Sequence, residues 1–551
     1  MRFSLLASVS ICLAACSAPP AQDFKPQESQ LKEISIFGPT ASDYANIVDK
    51  HFAAKSWTAK TLPELSEALK SGDVTSQTLT QAYLDRIAAV DQAGPHLQAI
   101  LALNPDAMSQ AKASDDRRGN GEALGPLDGI PILFKDNIET LDPIATTAGA
   151  YALKDNVTER DSPLVAGLRA EGAIILGKTN LSQWANFRSN ESVSGWTALG
   201  GQVRNPHMLD RSPCGSSSGS GAAAAASLAA GTVGTETNGS VICPSNVNGV
   251  VGFKPTVGLV SQKYIVPISE TQDTAGPMTK SVGGAALMLD AMDNQEIDYA
   301  AALDSGSLSG KRVGVLRFAE GSNDDVITRF NAALEAIESA GATLVEIDEF
   351  SLDVENYGEK SRDVLLYEFK AGMDHYLAEA ASAVKARSLE QLISFNEDEP
   401  RETTVFDQDL FEAAQAKGPL SDETYLTAKS DVQTGTGTNG IDKMMTENNV
   451  DMLVSPSGPV ASRIDPVNGD VWPSWAGAGY LAAVAGYPHI TVPMGDVHGV
   501  PIGFSIMAGH GQDADVLSYG YAFEAVGGKR VDPKYLRSAE DRPELEKAMR
   551  P

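Results

Sequence analysis

The sequence predicts an α/β fold, on three observations: short β-type apolar runs, a helical period between them, and glycine and proline at the joints. The β-like runs fall at residues 130–134, 173–176, 313–318, 343–347, 452–454 and 489–492. Between two of them, residues 324–340 set Val326, Phe330, Leu334 and Ile337 on one face of a helix. Strand, helix, strand is a βαβ unit, so at least part of the sheet is expected to be parallel. Nearer the amino end, Leu65, Ala68 and Leu69, then Leu79, Ala82, Tyr83 and Ile87, recur at helical spacing and are split by Gly72. The alanine-rich stretch 221–231 reads as a buried helix, and the charged, proline-punctuated last twenty or so residues read as a surface tail.

Hydrophobic residues make up 42% of the 551 and charged residues 21%, the balance of a globular chain with a large core. Against 43 Lys and Arg stand 72 Asp and Glu, a net charge of −29. Such a surface repels phosphate backbones, which argues against nucleic acid as a partner. At the amino terminus Arg2 precedes an apolar run, Leu5 to Ala15, that is too short to span a bilayer. It ends Leu13-Ala14-Ala15-Cys16, small residues before a cysteine, which resembles a bacterial lipoprotein signal. The expected organisation is a signal peptide at 1–15, a proline- and glutamine-rich tether at 16–40 and one folded domain at 41–551. The expected location is exported, on the periplasmic face of a bacterial membrane, with lipid on Cys16 as the membrane contact. A plain secretory signal with an incidental cysteine is the alternative. The oligomeric state is left open.

Three stretches invite a chemical reading. Gly172-Ala173-Ile174-Ile175-Leu176-Gly177-Lys178-Thr179 has the letters of a P-loop, but its variable positions are strand-forming, whereas a P-loop needs a phosphate-wrapping turn there. Gly215-Ser216-Ser217-Ser218-Gly219 has the letters of a nucleophile elbow centred on Ser217. The residues before it, including Pro206 and Pro213, cannot supply the apolar strand that an elbow requires. A flexible Gly/Ser linker is the plainest alternative, although the core-like alanine run follows at once.

The third stretch runs Gly231-Thr232-Val233-Gly234-Thr235-Glu236-Thr237-Asn238-Gly239-Ser240 and on through Gly249-Val250-Val251-Gly252-Phe253-Lys254-Pro255-Thr256. Upstream stands Gly129-Ile130-Pro131-Ile132-Leu133-Phe134-Lys135-Asp136-Asn137; downstream stand Gln272-Asp273-Thr274-Ala275-Gly276-Pro277-Met278 and Ala485-Gly486-Tyr487-Pro488. Together with residues 212–226 these landmarks, in this order, resemble the amidase-signature family. Within it, Ser212-Pro213-Cys214, Cys243-Pro244 and the run 365–372 look most like bacterial peptide amidases.

The resemblance implies a single domain built on a large twisted mixed sheet with helices on both sides. It implies Ser240 as nucleophile, Ser216 as the relay serine after a cis peptide bond, and Lys135 as the base. Backbone N–H groups of Thr237, Asn238, Gly239 and Ser240 would form the oxyanion hole. A lysine works as a base only if burial favours its neutral form, which the apolar run before Lys135 would provide. Two departures stand out: Asn238 replaces a common glycine, and Ile242 replaces a common arginine. The implied reaction is hydrolysis of a primary carboxamide, a peptide C-terminal amide in particular, without metal or organic cofactor. A tRNA-dependent amidotransferase subunit and a catalytically silent binding protein are the rivals. Cys214 and Cys243 are expected near one another, as two separate buried thiols in preference to a disulfide.

Overall fold

The computed structural model describes residues 57–293, 297–472, 474–542, 544, 545 and 548, all within one compact unit, Thr40–Pro551. The expected signal peptide and tether lie outside the described residues. Among the described residues thirteen strands are seen: β1 (Ile100–Leu103), β2 (Pro131–Lys135), β3 (Ile174–Thr179), β4 (Trp196–Thr197), β5 (Gly201–Gln202), β6 (Gly231–Glu236), β7 (Val251–Lys254), β8 (Thr274–Thr279), β9 (Arg312–Leu316), β10 (Thr343–Ile347), β11 (Met452–Pro456), β12 (His489–Val497) and β13 (Val500–Met507). Apart from the β4–β5 pair they form one eleven-stranded sheet, ordered β1-β3-β2-β6-β8-β7-β12-β13-β11-β9-β10.

The sheet is mixed, as expected. β3, β2 and β6 run parallel, as do β11, β9 and β10, while the central pairings are antiparallel. Strand β2 is buried along its whole length, which is why it reads as an uninterrupted apolar run. The predicted βαβ unit is β9, the helix Asp324–Ser339 and β10, with Thr343 in register with Arg312. Asn323 caps that helix by accepting from Asp325 and Val326 N–H at 3.0 and 3.2 Å. Its Val326, Phe330, Leu334 and Ile337 pack into the main core, Phe330 against Phe504. The amino-terminal helical pattern becomes Leu62–Ser71 and Ser76–Arg86, with Gly72 ending the first in the left-handed region at φ 79°.

Two expectations are corrected. The alanine-rich helix spans Ser218–Ala225, and the chain re-enters the sheet at Gly231. Small residues are required in that helix, since a Cβ on Gly219 would come 2.3 Å from the Asn180 carbonyl. The carboxyl-terminal stretch is no free tail: Tyr535 is buried, its N–H donates to the Pro206 carbonyl, and Arg86 reaches its hydroxyl.

Candidate active site

β2 and β6 are parallel neighbours, so both deliver their carboxyl ends to the same edge of the sheet, where open α/β sheets place their ligands. The last residue of β2 is Lys135, and β6 ends at Glu236, from which the chain turns through Thr237, Asn238 and Gly239 to Ser240. The antiparallel β8 begins at the same edge, with Thr274 opposite Glu236, and so sets Asp273 beside Thr237. Thr237 Oγ1 donates to Asp273 Oδ1 at 2.6 Å. Asp273 also accepts the N–H groups of Ile268 and Ser269, and Glu368, from the helix Tyr357–Glu379, accepts from Ser269, Thr271 and Tyr425. The run 365–372 thus braces the loop that holds Thr237 in place.

Lys135 is fully buried. Its Nζ donates to Ser216 Oγ at 2.7 Å, to Thr235 Oγ1 at 2.8 Å and to the Thr235 carbonyl at 3.2 Å. Asn137 Nδ2 donates to the same Thr235 hydroxyl at 3.0 Å. Burial pushes the Lys135 ammonium down to about 7, against the fields of Asp273 and Glu236, which hold it up. The Gly215–Ser216 peptide bond is cis. The Ser217 N–H donates to the Ser240 carbonyl at 3.2 Å, which ties the Ser216 segment to the Ser240 turn. Lys135 and Ser216 are thus in side-chain contact, and the Ser240 backbone lies against the residue that follows Ser216.

The competing motifs do not make a site of their own. Ser217 Oγ donates to the Thr235 carbonyl and accepts the Thr235 N–H, at 3.0 and 3.1 Å, so its hydroxyl proton is committed to holding β6. The P-loop letters coincide with β3, whose Lys178 is buried and donates to the Ile138 carbonyl and to Thr146. Among the 237–240 residues the left-handed backbone falls on Gly239, at φ 81°, whereas Asn238 is outside that region and exposed. A side chain at 238 is thereby accommodated. Glu236 Oε2 accepts the N–H groups of Val241 and Ile242 at 2.8 and 3.0 Å, which fixes the backbone after Ser240 with no arginine at 242. Sequence reasoning passed over Thr235, Asn137, Asp273 and Glu236 as site residues, although each lies inside a stretch already quoted.

Cys214 and Cys243 are joined in a disulfide, which corrects the expectation of two thiols. Residue 214 precedes the Ser216 segment and 243 follows Ser240, and the contact between those segments brings the sulfurs together. With a separation of 29 residues, the cross-link is expected to contribute about 3–4 kcal/mol to stability. Alkylation under denaturing conditions should leave the peptides bearing Cys214 and Cys243 unlabelled until a reductant is added. Labelling of both without reductant would exclude the bond.

The family model described as Amidase matches residues 78–517. A probable amidase of Arabidopsis thaliana is 33% identical over 86% of this chain and 91% of its own. A provisionally named amidase of Schizosaccharomyces pombe is 35% identical over 86% of each. The solved peptide amidase of Stenotrophomonas maltophilia is 42% identical, covers 88% of this chain and 99% of its own, and superposes with a TM-score of 0.82. These matches also correct the location expected from the amino terminus. The curated relatives include amidases of a yeast, a plant and a fungus, cells without a periplasm, so the exported bacterial lipoprotein held by Cys16 does not stand. A short apolar run ending in small residues is a loose pattern, easily over-read. No helix among the described residues is long and apolar enough to cross a membrane. The ordered motifs, the eleven-stranded mixed sheet and the family model together place the chain in the amidase-signature family, as a hydrolase of amide carbon–nitrogen bonds.

Proposed function

We propose that the protein hydrolyses a primary carboxamide, with a peptide C-terminal amide as preferred substrate, through Ser240, Ser216 and Lys135 acting as one proton relay. The observation that carries this reading is the 2.7 Å contact between buried Lys135 Nζ and Ser216 Oγ. In the amine form of Lys135 the contact runs the other way, Ser216 donating to nitrogen, and Ser216 can then take the Ser240 proton. Attack by Ser240 on the carbonyl gives a tetrahedral oxyanion facing the N–H groups of residues 237–240. Collapse expels the amine, which leaves as ammonia after receiving the relayed proton, and water releases the acyl group by the same route.

Preference for a peptide is supported by a cleft of about 560 Å³ on the Thr237 side, lined by Tyr264, Pro267, Ser269, Asp273, Glu368 and Gly372. Ammonia needs little space, so substrate binding must come from the acyl portion, and this cleft has room for it. Contacts made only in the transition state raise turnover as well as selectivity. Ammonia release should therefore be faster, by about two orders of magnitude in kcat/KM, from amidated dipeptides and tripeptides than from acetamide. Faster turnover of acetamide would reduce the assignment to a general small-amide amidase.

A further inference from the structure

A second cavity, of about 230 Å³, lies against the turn that carries Ser240 and is lined by Gly239, Ile242 and the Cys214–Cys243 disulfide. Three of its lining residues carry a buried acceptor with no partner: Glu236 Oε1, Asn186 Oδ1 and His489 Nδ1. Glu236 is 1% exposed and His489 fully buried. The hydrogen-bond order fixes the imidazole. Ser505 Oγ donates to Ser457 Oγ at 3.0 Å, so it must accept from His489 Nε2 at 2.6 Å, which leaves Nδ1 as a bare lone pair. The Asn186 amide nitrogen already donates to Ser194, so its oxygen is the atom left over. Lys254 and Lys135 feel the charge of Glu236, but their ammonium groups are engaged with the Pro255 carbonyl and with Ser216 and Thr235. No lysine or arginine lines the cavity among the described residues.

The walls add to this. Trp472 and Trp475 stand edge to face, with centroids 6.0 Å apart, and Tyr480 lines the same space. Asp470, at the exposed rim, accepts from Ser194. Unpaired acceptors below and aromatic faces around are complementary to a cation that carries several N–H groups. An unpaired buried carboxylate oxygen is costly, and a bound cation would relieve that cost.

The geometry points to this cavity as a subsite for an ammonium or guanidinium group on the amide-bearing residue of the substrate, with Glu236 as its counter-charge. The position fits, because the Glu236 carboxylate already touches the two N–H groups that follow Ser240. The inference rests on the amide-hydrolase reading above and narrows its substrate class.

The test compares N-acetyl-arginine amide with N-acetyl-citrulline amide, which keeps the shape and loses the charge. The arginine amide should be preferred by about tenfold or more in kcat/KM, the scale of a desolvated cation–π and charge contact. In Glu236→Gln that ratio should fall towards one. Trp475→Leu, at the exposed rim, should lower it as well, and decides the matter should Glu236→Gln fail to fold. A wild-type ratio of one or less overturns the subsite, as does a ratio unchanged in both variants. Turnover of neutral amidated peptides alongside a ratio of one would remove the subsite and leave the function intact. Absence of ammonia from every amide would remove both.

Discussion

Ser240→Ala should lower kcat for amide hydrolysis by about four to six orders of magnitude, while Ser217→Ala costs far less. The expectation follows from where each hydroxyl stands. Ser217 is locked by two contacts to Thr235, so removing it loosens β6 packing and touches no reacting atom. Ser240 is part-exposed at the end of the turn that follows β6, and no hydrogen bond to β6 ties up its hydroxyl as Thr235 ties up that of Ser217. Ser216→Ala should be nearly as damaging as Ser240→Ala, because it would cut the proposed relay between Ser240 and Lys135. The double variant should be little worse than either single one, since residues acting as a unit are far from additive. A dead Ser217→Ala beside an active Ser240→Ala would restore the elbow reading.

Lys135→Met should reduce kcat by at least about a thousandfold without loss of fold. Methionine fills similar volume and removes a buried ammonium, so thermal stability should hold or rise. The wild-type pH profile carries the same information. Lys135 is pushed down to about 7, so below that pH the protonated form dominates and has no lone pair to offer. Activity should therefore fall about tenfold per pH unit on the acid side and level off above about pH 7. No histidine is needed for this limb: His489 is held neutral, pushed down to about 3 by burial. A flat acid limb, or an active Lys135→Met, would reject the lysine as base.

How much of this was legible depended on whether local residues or distant partners set each element. β2, β9 and β10 were readable because continuous apolar runs or a flanking amphipathic helix mark them. β6 and β8, which frame the site, were not. Glycine and threonine dominate both, with Pro277 in β8, and they are strands because of their neighbours: Thr232 Oγ1 bonds the Ser220 and Met278 carbonyls, and Pro277 sits opposite Val233. β13 was obscured in the same way by Pro501 and Gly503. Lys135, Ser216 and Ser240 are assigned roles through motif order, not through any local pattern. Asp273 was inside a quoted motif, but its partnership with Thr237 exists only once β6 and β8 pair antiparallel. The aromatic wall of Trp472, Trp475 and Tyr480 comes from a loop without periodicity, so nothing in the sequence tied it to Ser240. The disulfide was missed for a related reason: proximity of two buried cysteines does not tell a thiol pair from a bond.

Covalent labelling addresses the central claim most directly. The enzyme would be treated with a fluorophosphonate that captures activated serines, then digested and mapped by mass spectrometry, with a slowly hydrolysed amidated peptide present or absent. One adduct is expected, on Ser240, formed more slowly when the peptide is present and absent from Lys135→Met. An adduct on Ser217 or Ser216 in place of Ser240, or one that forms equally fast without Lys135, would contradict it.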